Sequence, residues 1–410
     1  MLNLNSIELF AGAGGLALGT ARAGFKHVVV LEKDDDACKT LRRNRLGGVE
    51  FVRDWEIVNG DVHKYDFSPH RGKVGFIFGG PPCQPFSLGG KHRGKDDHRN
   101  LFPEAVRAVR QAEPMAFMFE NVKGLLRRSF ANYYSYIIHR FRFPSVEPRR
   151  DEDWVSHLAR LERLYTSGKA SDISYNVVYR LLNAAEYGAA EGVPQRRERV
   201  FIVGIRADLG IEFSFPTEST HSYDALLHDK WLSGVYWDRH SIPSRQRPRV
   251  PDAIRRRVEG LTLIGREFLG DPVRTVRDAI ADLPSIAVGE VCSNVANHYL
   301  NPGAKSYPGH CGSPFDEPAK ALKAGDHGVP GGENMLRLQD GSVRYFSVRE
   351  CARLQTFPDD WSFAGSWTES MRQLGNAVPV KTAELVARRL RETVEARFSN
   401  RFSPTNRQRK

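Results

Sequence analysis

Ile7-Glu8-Leu9-Phe10-Ala11-Gly12-Ala13-Gly14-Gly15 is the stretch on which the fold turns. Ile7 to Phe10 reads as a buried strand, and the glycines after it allow a tight turn close to a ligand. Gly15 to Ala23 then carries a helical pattern, so a helix N-terminus faces whatever lies at the turn. Working outward, Val28 to Glu32, Val74 to Phe78, Ala116 to Glu120, Val177 to Leu182 and Val200 to Ile205 are further apolar runs. Such runs suit strands covered on both faces. Helical patterns at Ala37 to Arg43 and Pro103 to Gln111 separate some of them. The alternation predicts an α/β domain with a mostly parallel sheet, whose ligands sit at the carboxyl ends of the strands.

The alternation has limits. Residues 127–172 are aromatic- and arginine-rich and read as an insertion. From Ala207, Pro, Gly, His, Trp and Arg become frequent and strand signals weaken, which predicts a second, loop-rich domain. A helical pattern returns near Ser347 to Thr356, and Val380 to Arg397 reads as a long amphipathic helix. The expected divisions are a first domain over 1–206, a second over 207–362, and a C-terminal segment over 363–410 that returns to the first.

With 410 residues, 40% of them hydrophobic and 27% charged, the chain has room for two domains and a large core. No apolar run approaches the roughly 18 residues of a membrane span, and the N-terminus lacks the pattern of a secretory signal. Cys38, Cys83, Cys292, Cys311 and Cys351 are scattered and form no Cys-x-x-Cys pair, which argues against disulfides and zinc and for a reducing cytoplasm. The net charge of +11 favours a polyanionic partner. Seven arginines lie between Arg239 and Arg257 against one acid, Asp252, and this stretch is expected to meet phosphates. The tail from Arg397 to Lys410 holds five basic residues and no acid, for which solvated charge is an equally good reading.

Four further groups carry chemistry. Glu32 ends the second strand 20 residues beyond Gly12, where an acid can bond ribose hydroxyls. Asp61, in Asn59-Gly60-Asp61-Val62 at the next strand end, reads equally as an adenine contact or a turn residue. Together these imply an adenosine-bearing cofactor, either a nicotinamide nucleotide or S-adenosylmethionine. Gly79-Gly80-Pro81-Pro82-Cys83-Gln84-Pro85-Phe86-Ser87 frames one thiol with three prolines, as a nucleophile with a fixed line of attack requires. Glu120 ends an apolar strand, where burial raises a carboxyl pKa and lets it donate to a ring nitrogen. Alternation around Val200 places Arg197 and Arg199 on one face, suited to an anion or a carbonyl oxygen.

Taken in order, these blocks resemble the cytosine-C5 DNA methyltransferases of the bacterial modification type. The resemblance rests on Glu8 to Gly15, Gly79 to Ser87, Glu120-Asn121-Val122, Gln195-Arg196-Arg197-Glu198-Arg199-Val200, Arg349 to Pro358 and Gly375-Asn376-Ala377-Val378-Pro379, and spans residues 7 to about 395. It implies a Rossmann-like S-adenosylmethionine-dependent methyltransferase sheet with a smaller, loop-rich target-recognition domain. Cys83 would add to carbon 6 of a flipped-out cytosine, Glu120 would engage ring nitrogen 3, and Arg197 would contact the base's carbonyl oxygen and steady Glu120, with Arg199 beside it. Phe10, Ala11, Gly12, Gly14, Gly15, Glu32, Asp61, Val62 and Asn376 would line the cofactor site. Pro82, Gln84, Ser87 and Asn121 would position the substrate. Arg349 to Pro358 would pack the small domain. Where family members often carry Thr followed by an aliphatic residue, Ala321-Leu322 stands here. The implied setting is a monomer in the bacterial cytoplasm, acting on double-stranded DNA, with a cognate restriction endonuclease working on the same site without a stable complex. An RNA cytosine methyltransferase acting on tRNA is the nearest rival. A nicotinamide-dependent oxidoreductase would leave Glu120 and the Gln195 to Arg199 block without a role, and a catalytically dead DNA-binding module would leave Cys83, Glu120 and Arg197 without one.

Overall fold

In the computed structural model, the glycine turn sends the chain from β1 (Asn5–Leu9) into α1 (Gly15–Arg22). Residues 2–82, 100–168, 172–188, 191–308, 310–325 and 334–400 are described, with backbone alone at 399 and 400. Gly14 caps α1 at φ +90°, a left-handed conformation that a side chain would strain. Next come β2 (Lys26–Glu32), α2 (Asp35–Leu46), β3 (Ile57–Asn59) and β4 (Phe76–Gly79). They are followed by α3 (Phe102–Ala112), β5 (Ala116–Val122), α4 (Ala131–Arg142), α5 (Trp154–Ser167), β6 (Tyr175–Asn183) and β7 (Glu198–Arg206). The six expected strands are all present, with ends displaced by at most two residues. Three-residue β3 is too short to register as an apolar run.

These seven strands form one sheet in the order β3-β2-β1-β4-β5-β7-β6. All pairings are parallel except those of β7, which runs against both β5 and β6. The chain moves outward from β1 to β3, then restarts on the other side at β4, so the switch point lies between β1 and β4. Open α/β sheets hold ligands above such a point. Because β7 is reversed, its first residues, Glu198 and Arg199, meet the carboxyl end of β5, where Arg199 faces Val122 across the ladder.

Ile7, Leu9, Ile77, Phe117 and Phe119 bury one face of the sheet against Phe102, Val106 and Val109 of α3 and Ile137 and Phe141 of α4. Thus α4, inside the 127–172 stretch, belongs to the core. The opposite face, with Phe76, Phe78, Met118, Phe201 and Val203, packs against Ala383, Val386, Leu390 and Val394 of the long C-terminal helix.

After β7 the elements shorten. They are β8 (His221–Ser222), α6 (Tyr223–Trp231), α7 (Val235–Arg239), α8 (Asp252–Leu261), β9 (Asp271–Pro272), α9 (Val276–Ile280), β10 (Ser313–Pro314), β11 (Met335–Arg337) and β12 (Val343–Tyr345). Two small clusters, one around Tyr236 and Trp237 and one around Leu227, Val258 and Leu261, give this part its own packing. Helices α10 (Val348–Leu354), α11 (Trp367–Asn376) and α12 (Val380–Asn400) complete the chain. The Arg349 to Pro358 segment does not serve the small part alone. Cys351, Ala352, Leu354 and Phe357 share a core with Ala13, Ala17, Val30 and Leu41 of the first half.

The arginine-rich stretch is less free than its charge count implies. Arg239 pairs with Asp278, Arg247 with Asp238, Arg255 with Asp252 and Arg257 with Asp224. Arg245, Arg249 and Arg256 are exposed and form no ion pair among the described residues. Among those residues, no helix is long and apolar enough to cross a membrane.

Candidate active site

Four strand ends converge at the switch point. β4 runs out through Gly79-Gly80-Pro81-Pro82, and its neighbour β5 ends at Glu120-Asn121-Val122. Asn121 Nδ2 donates to the Pro81 carbonyl at 3.0 Å and so ties the two ends together. A Cβ added at Gly80 would stand 3.3 Å from Glu120 Oε2, so only glycine leaves the carboxylate room at ordinary contact distance. Pro81 is buried and Pro82 exposed. Cys83, Gln84 and Ser87 lie outside the described residues. Cys83 follows Pro82 directly, three positions after the glycine that lies against Glu120.

Glu120 is nearly fully buried, and burial pushes its carboxyl above the usual carboxylate range. The guanidinium groups of Arg199 and Arg197 oppose that shift. Arg199 is the direct partner, with Nε 2.8 Å from Glu120 Oε1. The N–H is not aimed at that oxygen, so the contact is an ion pair without hydrogen-bond alignment, and the oxygen is buried with no hydrogen-bond partner among the described residues.

The role expected for Arg197 needs correction. Arg197 precedes β7, so strand alternation does not govern it. Its side chain turns into the interior, where it is 1% exposed. Nη1 donates to the Leu322 carbonyl at 2.8 Å, and Nη2 donates to the carbonyls of Gly375 at 2.6 Å and Ala377 at 2.8 Å. Arg199, and not Arg197, is therefore the guanidinium in direct contact with Glu120. Gln195, quoted within its block but given no role, accepts from the Leu322 amide at 3.1 Å and donates to the Leu354 carbonyl at 3.3 Å. Ala321-Leu322 thus lies beside this block.

The expected cofactor residues gather at the ends of β1, β2 and β3. Phe10 and Gly12 both adopt positive φ, at 56° and 53°, and nothing lies within 4 Å of where a Gly12 Cβ would be. Glu32 binds the turn itself. Its Oε2 accepts from Gly12 N at 2.7 Å, and its Oε1 accepts from Lys33 N and Asp34 N at 2.8 Å each. A carboxylate has about four acceptor positions, so one remains for a ribose hydroxyl. Asp61 serves its turn: it accepts from His63 N at 3.1 Å and pairs with Lys33 Nζ at 2.8 Å, which holds its carboxyl well below the usual range. Lys33, which the sequence did not single out, therefore bridges the ends of β2 and β3. Val62 is buried behind Asp61, Ala11 is buried, and Gly15 packs against the Val378 carbonyl. Asn376 is exposed at the end of α11, reached by the same chain that accepts from Arg197. A helix N-terminus, an open glycine turn and one acid at the second strand end fit an adenosine-bearing cofactor.

The C-5 cytosine-specific DNA methylase family matches residues 4–143 and 167–392, leaving unmatched only 144–166 between those spans. That gap falls inside the 127–172 stretch and includes most of α5. The chain is 33% identical to Type II methyltransferase M.Eco47II of Escherichia coli over 386 residues, covering 93% of this chain and 77% of that one. It is 31% identical to Type II methyltransferase M.NgoMIV of Neisseria gonorrhoeae over 392 residues, covering 95% and 97%. Among solved structures, a prophage-encoded Escherichia coli protein described as a DNA modification methyltransferase aligns with a TM-score of 0.55 at 21% identity, covering 95% of this chain and 99% of that one. The Schizosaccharomyces pombe Dnmt2 methyltransferase aligns at 0.52 and 15%, covering 96% and 98%, and shares the fold. The chain belongs to the C-5 cytosine-specific DNA methylase family, as a DNA (cytosine-5-)-methyltransferase whose methyl donor is S-adenosylmethionine.

Proposed function

We propose that Cys83, Glu120 and Arg199 carry the reaction on a cytosine flipped out of a specific duplex DNA sequence. The observation that supports this most is the Glu120–Arg199 pair lodged against Gly80, with Asn121 holding Pro81. It puts an acid of raised pKa and a guanidinium beside the segment that leads into a proline-framed thiol.

Cytosine carbon 5 is a weak nucleophile. The Cys83 thiolate forms a bond to carbon 6, and ring electrons move towards nitrogen 3 and the carbonyl oxygen. Glu120, whose carboxyl burial pushes above the usual range, donates a proton at nitrogen 3, while the Arg199 guanidinium faces the charge growing on the oxygen. Carbon 5 then has the electron density to accept a methyl group. S-adenosylmethionine, which the turn at Gly12 with Glu32 and Asn376 would hold, would supply that group and leave as S-adenosylhomocysteine. Nitrogen 3 returns its proton to Glu120, the carbon 5 proton passes to water, and the electron pair it leaves re-forms the ring double bond as the Cys83 thiolate departs. Pro82, Gln84, Ser87 and Asn121 fix the approach.

A stacked base cannot reach such a site, and extruding it costs a few kcal/mol. Phosphate contacts from Arg245, Arg249 and Arg256 are the proposed offset, within a recognition segment between residues 207 and 362. The protein works as a monomer in the bacterial cytoplasm, protecting sites from a cognate endonuclease with which it forms no stable complex.

Duplex DNA carrying 5-fluorocytosine tests the chemistry, because fluorine at carbon 5 cannot leave as the proton does. With S-adenosylmethionine present, a denaturant-stable protein–DNA adduct mapping to Cys83 is expected, and none with Cys83→Ala. Methyl transfer to ordinary DNA without any such adduct would remove Cys83 from the mechanism.

A further inference from the structure

Arg197 is a fully buried cation that touches no carboxylate among the described residues. Its three hydrogen bonds go to main-chain carbonyls of two segments far apart in sequence: Leu322 on one side, Gly375 and Ala377 on the other. Burying a guanidinium is costly unless its donors are satisfied; the planar fork reaches three carbonyls where an ammonium would reach fewer at that geometry, while Nε has no hydrogen-bond partner among the described residues. The two segments also meet directly. A Cβ at Gly375 would stand 2.2 Å from Ala324 N and 2.4 Å from the Lys323 carbonyl carbon, so the 323–324 backbone rides on Gly375. Around them, Ala319 N donates to the Pro194 carbonyl and Arg196 N to that of Ala319, and Gln195 takes the Leu322 amide.

We infer that Arg197 is a positioning residue that couples the cofactor site to the seating of residues 319–325, and that it does not contact the target base. Resting on the cofactor reading above, the coupling runs through Asn376, whose two chain neighbours, Gly375 and Ala377, present their carbonyls to Arg197. A cofactor that fixes Asn376 fixes those carbonyls, and the same guanidinium then holds Leu322 more firmly.

Hydrogen–deuterium exchange of the wild-type protein, with and without S-adenosylhomocysteine, reads this directly. Slower exchange is expected at residues 12–34, which line the expected cofactor site, and also at 319–325, which line none of it. In Arg197→Lys the first protection is expected to persist and the second to disappear. The KM values for cofactor and for DNA should each rise about tenfold, as loss of a charged hydrogen bond implies, with kcat moving less. If Arg197→Lys does not fold, Gly375→Ala wedges the same contact from the other side and should give the same pattern. Protection at 12–34 without any at 319–325 in the wild type would overturn the coupling while leaving the cofactor reading intact. A fall in kcat with both KM values unchanged would return Arg197 to the base. No protection anywhere would remove the cofactor reading and this inference together.

Discussion

At the residue scale, burial without partners is the most telling state of a charged group. Glu8, in the middle of β1 between Val30 and Phe78, is fully buried, and neither carboxylate oxygen has a hydrogen-bond partner among the described residues. His27 on the adjacent strand does not help. It bonds Ser6 and Thr20, and burial pushes its pKa down to about 4, so it is neutral. Burial likewise pushes the Glu8 carboxyl well above the usual range. The folded protein then keeps a proton that the unfolded chain releases above about pH 4.3. The contribution of Glu8 to stability is therefore greatest below that pH and falls as pH rises towards the folded pKa, by at most about 1.4 kcal/mol per pH unit. Glu8→Gln cannot titrate, so relative to the variant the wild type should lose stability between pH 4.5 and 7.5 in urea unfolding. Parallel pH curves for the two proteins would mean that Glu8 is ionised in the fold. The same scale marks where the sequence is readable. Glu120 ended an apolar run, and its burial followed from that pattern. Arg197 and Arg199 could not be told apart, because the difference lies in three carbonyls supplied by residues 125 to 180 positions away.

At the element scale, α1 and α12 form the support behind the glycine turn. The approach is closest at Gly19, where a Cβ would meet Ala383 Cβ and the Val380 carbonyl oxygen at 2.5 Å each, and Glu384 N at 2.9 Å. Backbone atoms cannot step aside as a flexible side chain would. In an open helix Gly→Ala gains up to about 1 kcal/mol of propensity, whereas forcing a methyl into a closed contact costs about 1–3 kcal/mol. Gly19→Ala should therefore lower stability, read as a lower urea midpoint at unchanged slope; a raised midpoint would show that the two helices have room between them. Six strands and the long C-terminal helix were legible because apolar runs of local sequence specify them. The place of α12 on the sheet was not visible in its own residues, since an amphipathic stripe names no partner. Short β3 and the burial of α10 in one core with the first half of the chain escaped for the same reason: both are fixed by contacts across the chain.

At the scale of the whole molecule, charge and topology point the same way but with unequal force. The net charge of +11 favours a polyanion, yet four of the seven arginines between Arg239 and Arg257 are matched by carboxylates. The sheet order is the stronger statement, because it brings the Gly12 turn, Glu32, Pro81-Pro82 and Glu120 to one edge with Arg199 arriving from a reversed strand. Much of the site was thus legible as strand ends, while its electrostatic pairing was not. The central claim is methyl transfer to carbon 5 of cytosine in DNA. It is tested most directly by incubating the purified protein with duplex DNA and methyl-labelled S-adenosylmethionine, digesting to nucleosides and separating them. All label is expected in 5-methyl-2′-deoxycytidine, and none in a parallel digest of tRNA. Label on an exocyclic nitrogen of cytosine or adenine, or in tRNA alone, would contradict the account.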